Sequence, residues 1–157
     1  MKGMVIKMAN ELSTEVTEIM QFIVIRIGTE QYGIDIKYIE NILKIQNITR
    51  VPKVASYLKG VINLRGEVIP VMSLRGKMEL PDDEITKDTR IIIIKMNHES
   101  IGIIVDSVRE VVNVDMAEVE KISFENRDEN IFVMGIAKIN NDLISLLDLN
   151  IVLEETV

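Results

Sequence analysis

The chain has 157 residues, a net charge of −7 and no cysteine. Disulfides are thereby excluded and a cytoplasmic site is the default expectation, while the acidic balance sets the surface against nucleic-acid backbones and anionic lipid. Aromatics are only 4% of a composition that is 47% hydrophobic, so Ile, Val and Leu must carry the core, and that bias favours strands.

Residues 1–20 are polar and Glu-rich, lack the continuous apolar stretch of a signal peptide, and are expected to form a flexible or helical segment. Residues 21–27 form a β-branched run closed by the turn-rich Gly28-Thr29-Glu30-Gln31, and residues 32–36 continue the hairpin. Residues 39–45 read as a third strand whose start has partly helical apolar spacing. Residues 61–64 and 67–74 are strands joined by a tight turn at Arg65-Gly66, where short hairpins need positive φ. Pro70 inside the second of these predicts an edge or a bulge. An acidic stretch around Pro81, with Asp82-Asp83-Glu84, reads as a solvated hinge and lacks the Gly and spacing of a calcium loop. Residues 148–157 read as a short helix, with Asp148 or Asn150 as its cap and Ile151, Val152 and Leu153 turned inward. No apolar run is long enough to cross a bilayer, so direct membrane insertion is not expected.

The chain also repeats itself. When residues 60–75 are set on residues 135–150, Gly60 meets Gly135, Arg65-Gly66 meets Asn140-Asn141, and every apolar position meets an apolar position. When residues 22–43 are set on residues 91–112, Gly33 meets Gly102 and the apolar positions of the first segment again meet apolar positions, except that Tyr38 meets Ser107. The second copy is a little longer in its middle, around residues 125–130. The expected fold is all-β: two pseudo-repeated, five-stranded, SH3-like β-barrels packed together, with short helical segments at the termini. The first barrel is expected over residues 21–80, a hinge over 81–90, the second barrel over 91–150 and a C-terminal segment over 151–157. A single ten-stranded sandwich is the competing architecture.

Catalytic chemistry finds little support. The single histidine, His98, falls at a hairpin tip. With no cysteine a transition-metal site is not expected, and no Gly-rich phosphate cradle or nucleophile-base-acid set can be assembled. No cofactor is expected. A binding module remains, and binding needs surface residues. Arg65 stands at a turn tip, where its fork of donors suits carboxylates or carbonyls. Of the adjacent Tyr38 and Ile39, one must face outward in a strand, so Ile39 is either a partner-facing apolar residue or part of the core. Phe124 is the only aromatic between residues 86 and 130 and is a candidate anchor or a plug on a barrel mouth.

The runs Tyr32-Gly33-Ile34-Asp35-Ile36, Val51-Pro52, Gly60-Val61-Ile62-Asn63-Leu64-Arg65-Gly66 and Val68-Ile69-Pro70-Val71 resemble the CheW family, as do residues 102–106 and 135–149 in the second copy. The resemblance spans residues 21–153, and its most specific part is the Asn-Leu-Arg-Gly hairpin. It implies a non-enzymatic adaptor that couples the cytoplasmic tips of chemoreceptors to a CheA-type histidine kinase, with other CheW copies as further partners in arrays. It places Ile39, Asn63, Arg65 and Gly66 on receptor- or kinase-binding positions. Family members often carry a Glu two residues after the position of Ile39 that can pair with the hairpin Arg; this chain has Asn41 there, with Glu40 adjacent. The alternative from another class is a small-ligand-binding β-barrel, which would need a cavity inside one unit.

Overall fold

The computed structural model describes residues 18–122 and 132–154. In chain order the strands are β1 (Ile19–Ile27), β2 (Glu30–Asp35), β3 (Ile39–Lys44), β4 (Leu58–Leu64) and β5 (Glu67–Ser73). A short helix α1 (Leu74–Lys77) follows. Then come β6 (Arg90–Met96), β7 (Glu99–Val105), β8 (Ser107–Asp115), β9 (Glu120–Lys121), β10 (Val133–Ile139), β11 (Asp142–Leu147) and the helix α2 (Leu149–Val152). They form two sheets, of order β8-β1-β2-β11-β10-β9 and β3-β6-β7-β5-β4.

The repeat survives in three dimensions, but the sheets do not follow the sequence division into 21–80 and 91–150. The first hairpin, β1-β2, joins the later strands β8 to β11, and the hairpin β6-β7 joins the earlier strands β3 to β5. Each barrel is thus built from both halves of the chain. The reason lies in the apolar runs. Phe22 and Val24 point into a core with Val114, Ala137, Ile144 and Leu146, whereas Ile23, Ile25 and Ile27 point the other way. Likewise Ile91 and Ile93 join Ile62, Ile69, Val71 and Ile104, while Ile92 and Ile94 face the opposite side. Side chains alternate across a strand, so an unbroken aliphatic run is a strand buried on both faces. Its second face lies in the largest cluster, which unites both sheets and includes Ile25, Ile34, Met72, Leu74, Ile92 and Ile103. Exchanging the hairpins puts the most apolar strands at this shared seam.

Each sheet is closed by one device. After β3 the chain runs on to Thr49, which exchanges two backbone hydrogen bonds of 2.8 Å with Val61 of β4, at the far edge of the same sheet. In the second copy β8 runs on to β9, which pairs with β10 at Gly135↔Lys121 and Ile136↔Glu120. The repeated glycines sit where these closing segments pass. A Cβ on Gly60 would strike the carbonyl oxygen of Thr49, and one on Gly135 would lie 2.6 Å from Val119 Cγ1. The other repeated pair, Gly33 and Gly102, faces the parallel contacts: Leu146↔Gly33 between β11 and β2, and Val71↔Gly102 between β5 and β7.

Several local expectations are refined. Pro70 lies in β5 opposite Val61, one residue before β7 begins to pair at Val71, so it occupies a local edge. Strand β5 stops at Ser73 rather than Leu74, because Ser73 Oγ accepts from Gly76 N at 3.0 Å and caps α1, a helix the apolar pattern did not predict. Asp148 caps α2 by accepting from Asn150 N at 3.1 Å, and the residues it buries are Leu149 and Val152, with Ile151 and Leu153 only half-buried. A turn of 3₁₀ helix over Ile36–Tyr38, capped by Asp35, precedes the third strand, which begins at Ile39 as expected and ends at Lys44. The N-terminal segment up to residue 17 and the longer middle of the second copy lie outside the described residues.

Candidate functional site

Three of the candidate residues form one structural unit. Arg65 and Gly66 have φ of +54° and +85°, the pair of positive angles that a two-residue turn matched to strand twist requires. Asn63 braces the turn: its side-chain Oδ1 accepts from Gly66 N at 2.9 Å. Arg65 is exposed, and among the described residues none holds its guanidinium by a hydrogen bond or ion pair. The register Ile62↔Ile69 turns that pair into the barrel, so Asn63 and its partner Val68 face outward, with Val68 63% exposed. The result is a rigid tip carrying a free planar cation, an amide and an apolar side chain. The second copy repeats the form with different chemistry: Asn140 and Asn141 take the positive φ angles, and Leu143, 63% exposed, stands opposite Lys138.

Ile39 is not brought into this unit. It begins β3, at the opposite edge of the five-stranded sheet from β4, and is half-buried against the shared core with Ile36 and Tyr38. Core packing is what its environment shows. A register shift between Ile39 and Asn41 breaks the strand's alternation, so neither Tyr38 nor Ile39 is forced fully outward. The neighbouring Glu40 does not reach Arg65. Its carboxylate accepts from Ser100 Oγ at 3.3 Å and lies 3.8 Å from Lys95 Nζ, while Asn41 Oδ1 accepts from the backbone N–H of Ile42. Phe124 lies outside the described residues. His98 is at its hairpin tip, exposed, with φ of +67°.

A second polar centre was not singled out in the sequence. Asp106 sits between β7 and β8, where the chain crosses from one sheet to the other. Arg75 of α1 donates to it twice, from Nε at 2.9 Å and from an Nη at 2.6 Å, and Gly28 N donates to the same carboxylate at 2.7 Å. The Arg75 hydrogen bonds hold the Asp106 carboxyl below the usual carboxylate range; burial opposes this, and the Gly28 N–H reinforces it. The guanidinium is pushed up in turn, chiefly by its hydrogen bond to Asp106, with the nearby carboxylates of Asp83 and Glu84 contributing. Asp83 departs from the expected solvated hinge, since both its carboxylate oxygens are buried and accept no hydrogen bond. The repeat gave no signal for the Arg75–Asp106 pair: Asp106 aligns with Lys37 and Arg75 with Asn150.

The linkage has a definite sign. A carboxyl depressed in the folded state contributes stability that is fully present above its unfolded value, about 3.9, and is lost as pH falls through the folded value. Urea midpoints recorded from neutrality downward should therefore fall more steeply below about pH 4 for the native chain than for Asp106→Asn, with the two curves converging in acid. Parallel curves at all pH values would remove Asp106 from the account.

Among the described residues, the two barrel interiors are filled by the aliphatic clusters described above. Two crevices open on the surface among the described residues, one of about 640 Å³ between residues 48–59 and the hinge, the other of about 320 Å³ beside α2.

A family model described as "CheW-like domain" matches residues 21–157. The chain belongs to the CheW-like family. It is 37% identical over 145 residues to the chemotaxis protein CheW of Bacillus subtilis, covering 92% of this chain and 93% of the relative. It is 35% identical to the CheW of Helicobacter pylori, covering 88% and 84%. Among solved structures, the scaffolding protein TtCheW from Thermoanaerobacter tengcongensis superposes with a TM-score of 0.80 at 32% identity, over 87% of this chain and 94% of that one. The braced turn of Asn63, Arg65 and Gly66 is therefore carried on a CheW-like frame of two sheets with exchanged hairpins.

Proposed function

We propose that the chain is a non-catalytic adaptor of chemotaxis signalling that couples the cytoplasmic tips of chemoreceptors to a CheA-type histidine kinase, working in the cytoplasm. Its membership of a family whose named members are chemotaxis and scaffolding proteins supports this reading. The observation that carries it is the braced turn at Asn63-Arg65-Gly66. An unpaired guanidinium held on a stiff hairpin adds nothing to the core, yet loses little entropy when it meets a carboxylate or a row of carbonyls. No helix among the described residues is long and apolar enough to cross a membrane. Because an adaptor has only contact free energy to work with, it shifts its partners' equilibrium only by binding one of their states better than the other.

Co-sedimentation of the chain with a receptor signalling fragment and a CheA-type kinase tests the assignment, and absence from the pelleted complex would defeat it. Within that assay Arg65→Ala should weaken association by about 2 kcal/mol, roughly thirtyfold in Kd, and leave the melting temperature unchanged. Asn63→Ala should do both in part: about 1 kcal/mol of stability lost with the brace, and weaker binding because the tip is no longer fixed. Unfolding of Arg65→Ala would make that residue structural and remove it from the binding surface.

A further inference from the structure

We infer that Arg75 and Asp106 are positioning residues that pin the two barrels together at one end of their seam and leave the opposite, pseudo-equivalent end free to adjust. The inference concerns the isolated chain and does not rest on the adaptor reading. It starts from the repeat. Lys37 and Asp106 are equivalent, each standing where the chain crosses between sheets; Gly28 and Asn97 are equivalent turn residues; Arg75 and Asn150 are equivalent positions in α1 and α2.

At one end of the seam the equivalent parts are locked. Asp106 receives the two Arg75 bonds and the Gly28 N–H, and its own N–H donates to Arg26 O at 3.1 Å. A further Arg75 nitrogen reaches Pro81 O at 3.4 Å. Four pieces of chain, namely α1, the β1-β2 hairpin, the crossing and the hinge, thus meet on one ion pair whose side chains are only 19% and 26% exposed. A bidentate guanidinium–carboxylate pair fixes direction as well as distance.

At the other end the same construction has come apart. Asn150 stands in place of the arginine and Lys37 in place of the aspartate, while the neighbouring Asp35 accepts from the backbone N–H of Lys37 at 3.1 Å. Asn97 and Asn150 line the crevice of about 320 Å³ together with Met96, Ile101, Leu149 and Leu153. Contacts between aliphatic side chains are non-directional and tolerate sliding, whereas the clasp does not. One other polar tie joins α1 to the end of α2, a single exposed bond from Lys77 Nζ to Glu154 O at 2.7 Å. The seam is therefore a hinge with a fixed pin, and the pin sets the angle at which the outward faces of the two barrels are presented.

The full chain lacks cysteine, so two introduced cysteines report alone. Spin labels at Lys44→Cys and Lys138→Cys, exposed positions on different sheets, give the distance between barrels by pulsed electron resonance. The native background should give a single narrow distribution, Arg75→Ala one at least about twofold wider, and Asp106→Asn an intermediate width because the amide still accepts from Gly28 and Arg75. A pair that merely stabilised the fold would lower the melting temperature in these variants and leave the width below melting unchanged, and that result would overturn the inference. Should Arg75→Ala fail to fold, Arg75→Lys keeps the charge without the fork; widening there supports the pin, and a native width refutes it.

Discussion

Gly60→Ala is expected to destabilise the protein by about 4 kcal/mol, a large share of the stability of a chain this size. Two costs add at this position. The backbone lies at φ of +143°, which side chains with a Cβ rarely adopt, and the new methyl would run into the carbonyl group of Thr49 on the segment that closes the five-stranded barrel. That carbonyl cannot retreat without breaking its 2.8 Å bond to Val61 N, so strain passes directly to the closure. Gly66→Ala is the control. It too has positive φ, at +85°, but nothing lies within 4 Å of its Cβ, so it should cost only about 1 kcal/mol. Equilibrium unfolding in urea compares the two, and equal midpoints would show that the approach of Thr49 is not what requires glycine at position 60.

Ile92→Ala should cost about 3 to 4 kcal/mol, because the side chain is fully buried in the cluster shared by both sheets and its removal leaves a void bounded by two barrels. The exposed Val68, truncated to Ala, should change stability by well under about 1 kcal/mol. Ile91→Ala offers a sharper comparison. It lies one residue away and is equally buried, but it faces the interior of one barrel. If the seam is the weaker boundary, Ile92→Ala should broaden the unfolding transition while Ile91→Ala shifts it intact, as seen by fluorescence of labels on the two sheets. Identical, fully cooperative transitions would mean the two barrels unfold as one unit whichever core is damaged.

Much of this architecture was legible in the residue pattern. The duplication announced two similar units and set Gly60 on Gly135, although the segments that pass too close there for a side chain are visible only in three dimensions. The Arg65-Gly66 turn and its Asn140-Asn141 counterpart were readable because positive φ leaves few residue choices. What could not be read was the exchange of hairpins. The runs Phe22 to Ile25 and Ile91 to Ile94 declare burial on both faces, but hydrophobicity is non-directional and does not say which neighbour supplies the second face. The pairing of Arg75 with Asp106 was hidden for a related reason: their 31-residue separation carries no periodic signal, and only the crossing brings them together. Which way Ile39 faces was not legible either, because the register shift between Ile39 and Asn41 breaks the alternation from which a side chain's direction is read.

The exchanged hairpins also bear on synthesis. Strands β1 and β2 are made before β8 and β11, from which they take their remaining neighbours, the latter meeting β2 in parallel at Tyr32↔Ser145. Contacts between segments far apart in sequence form slowly. The β1-β2 hairpin must therefore wait, aliphatic on both sides, until β11 has been made, and a polypeptide truncated after α1 would carry that hairpin without the strands that complete its barrel. Two such halves expressed separately should find each other and complement rather than fold alone.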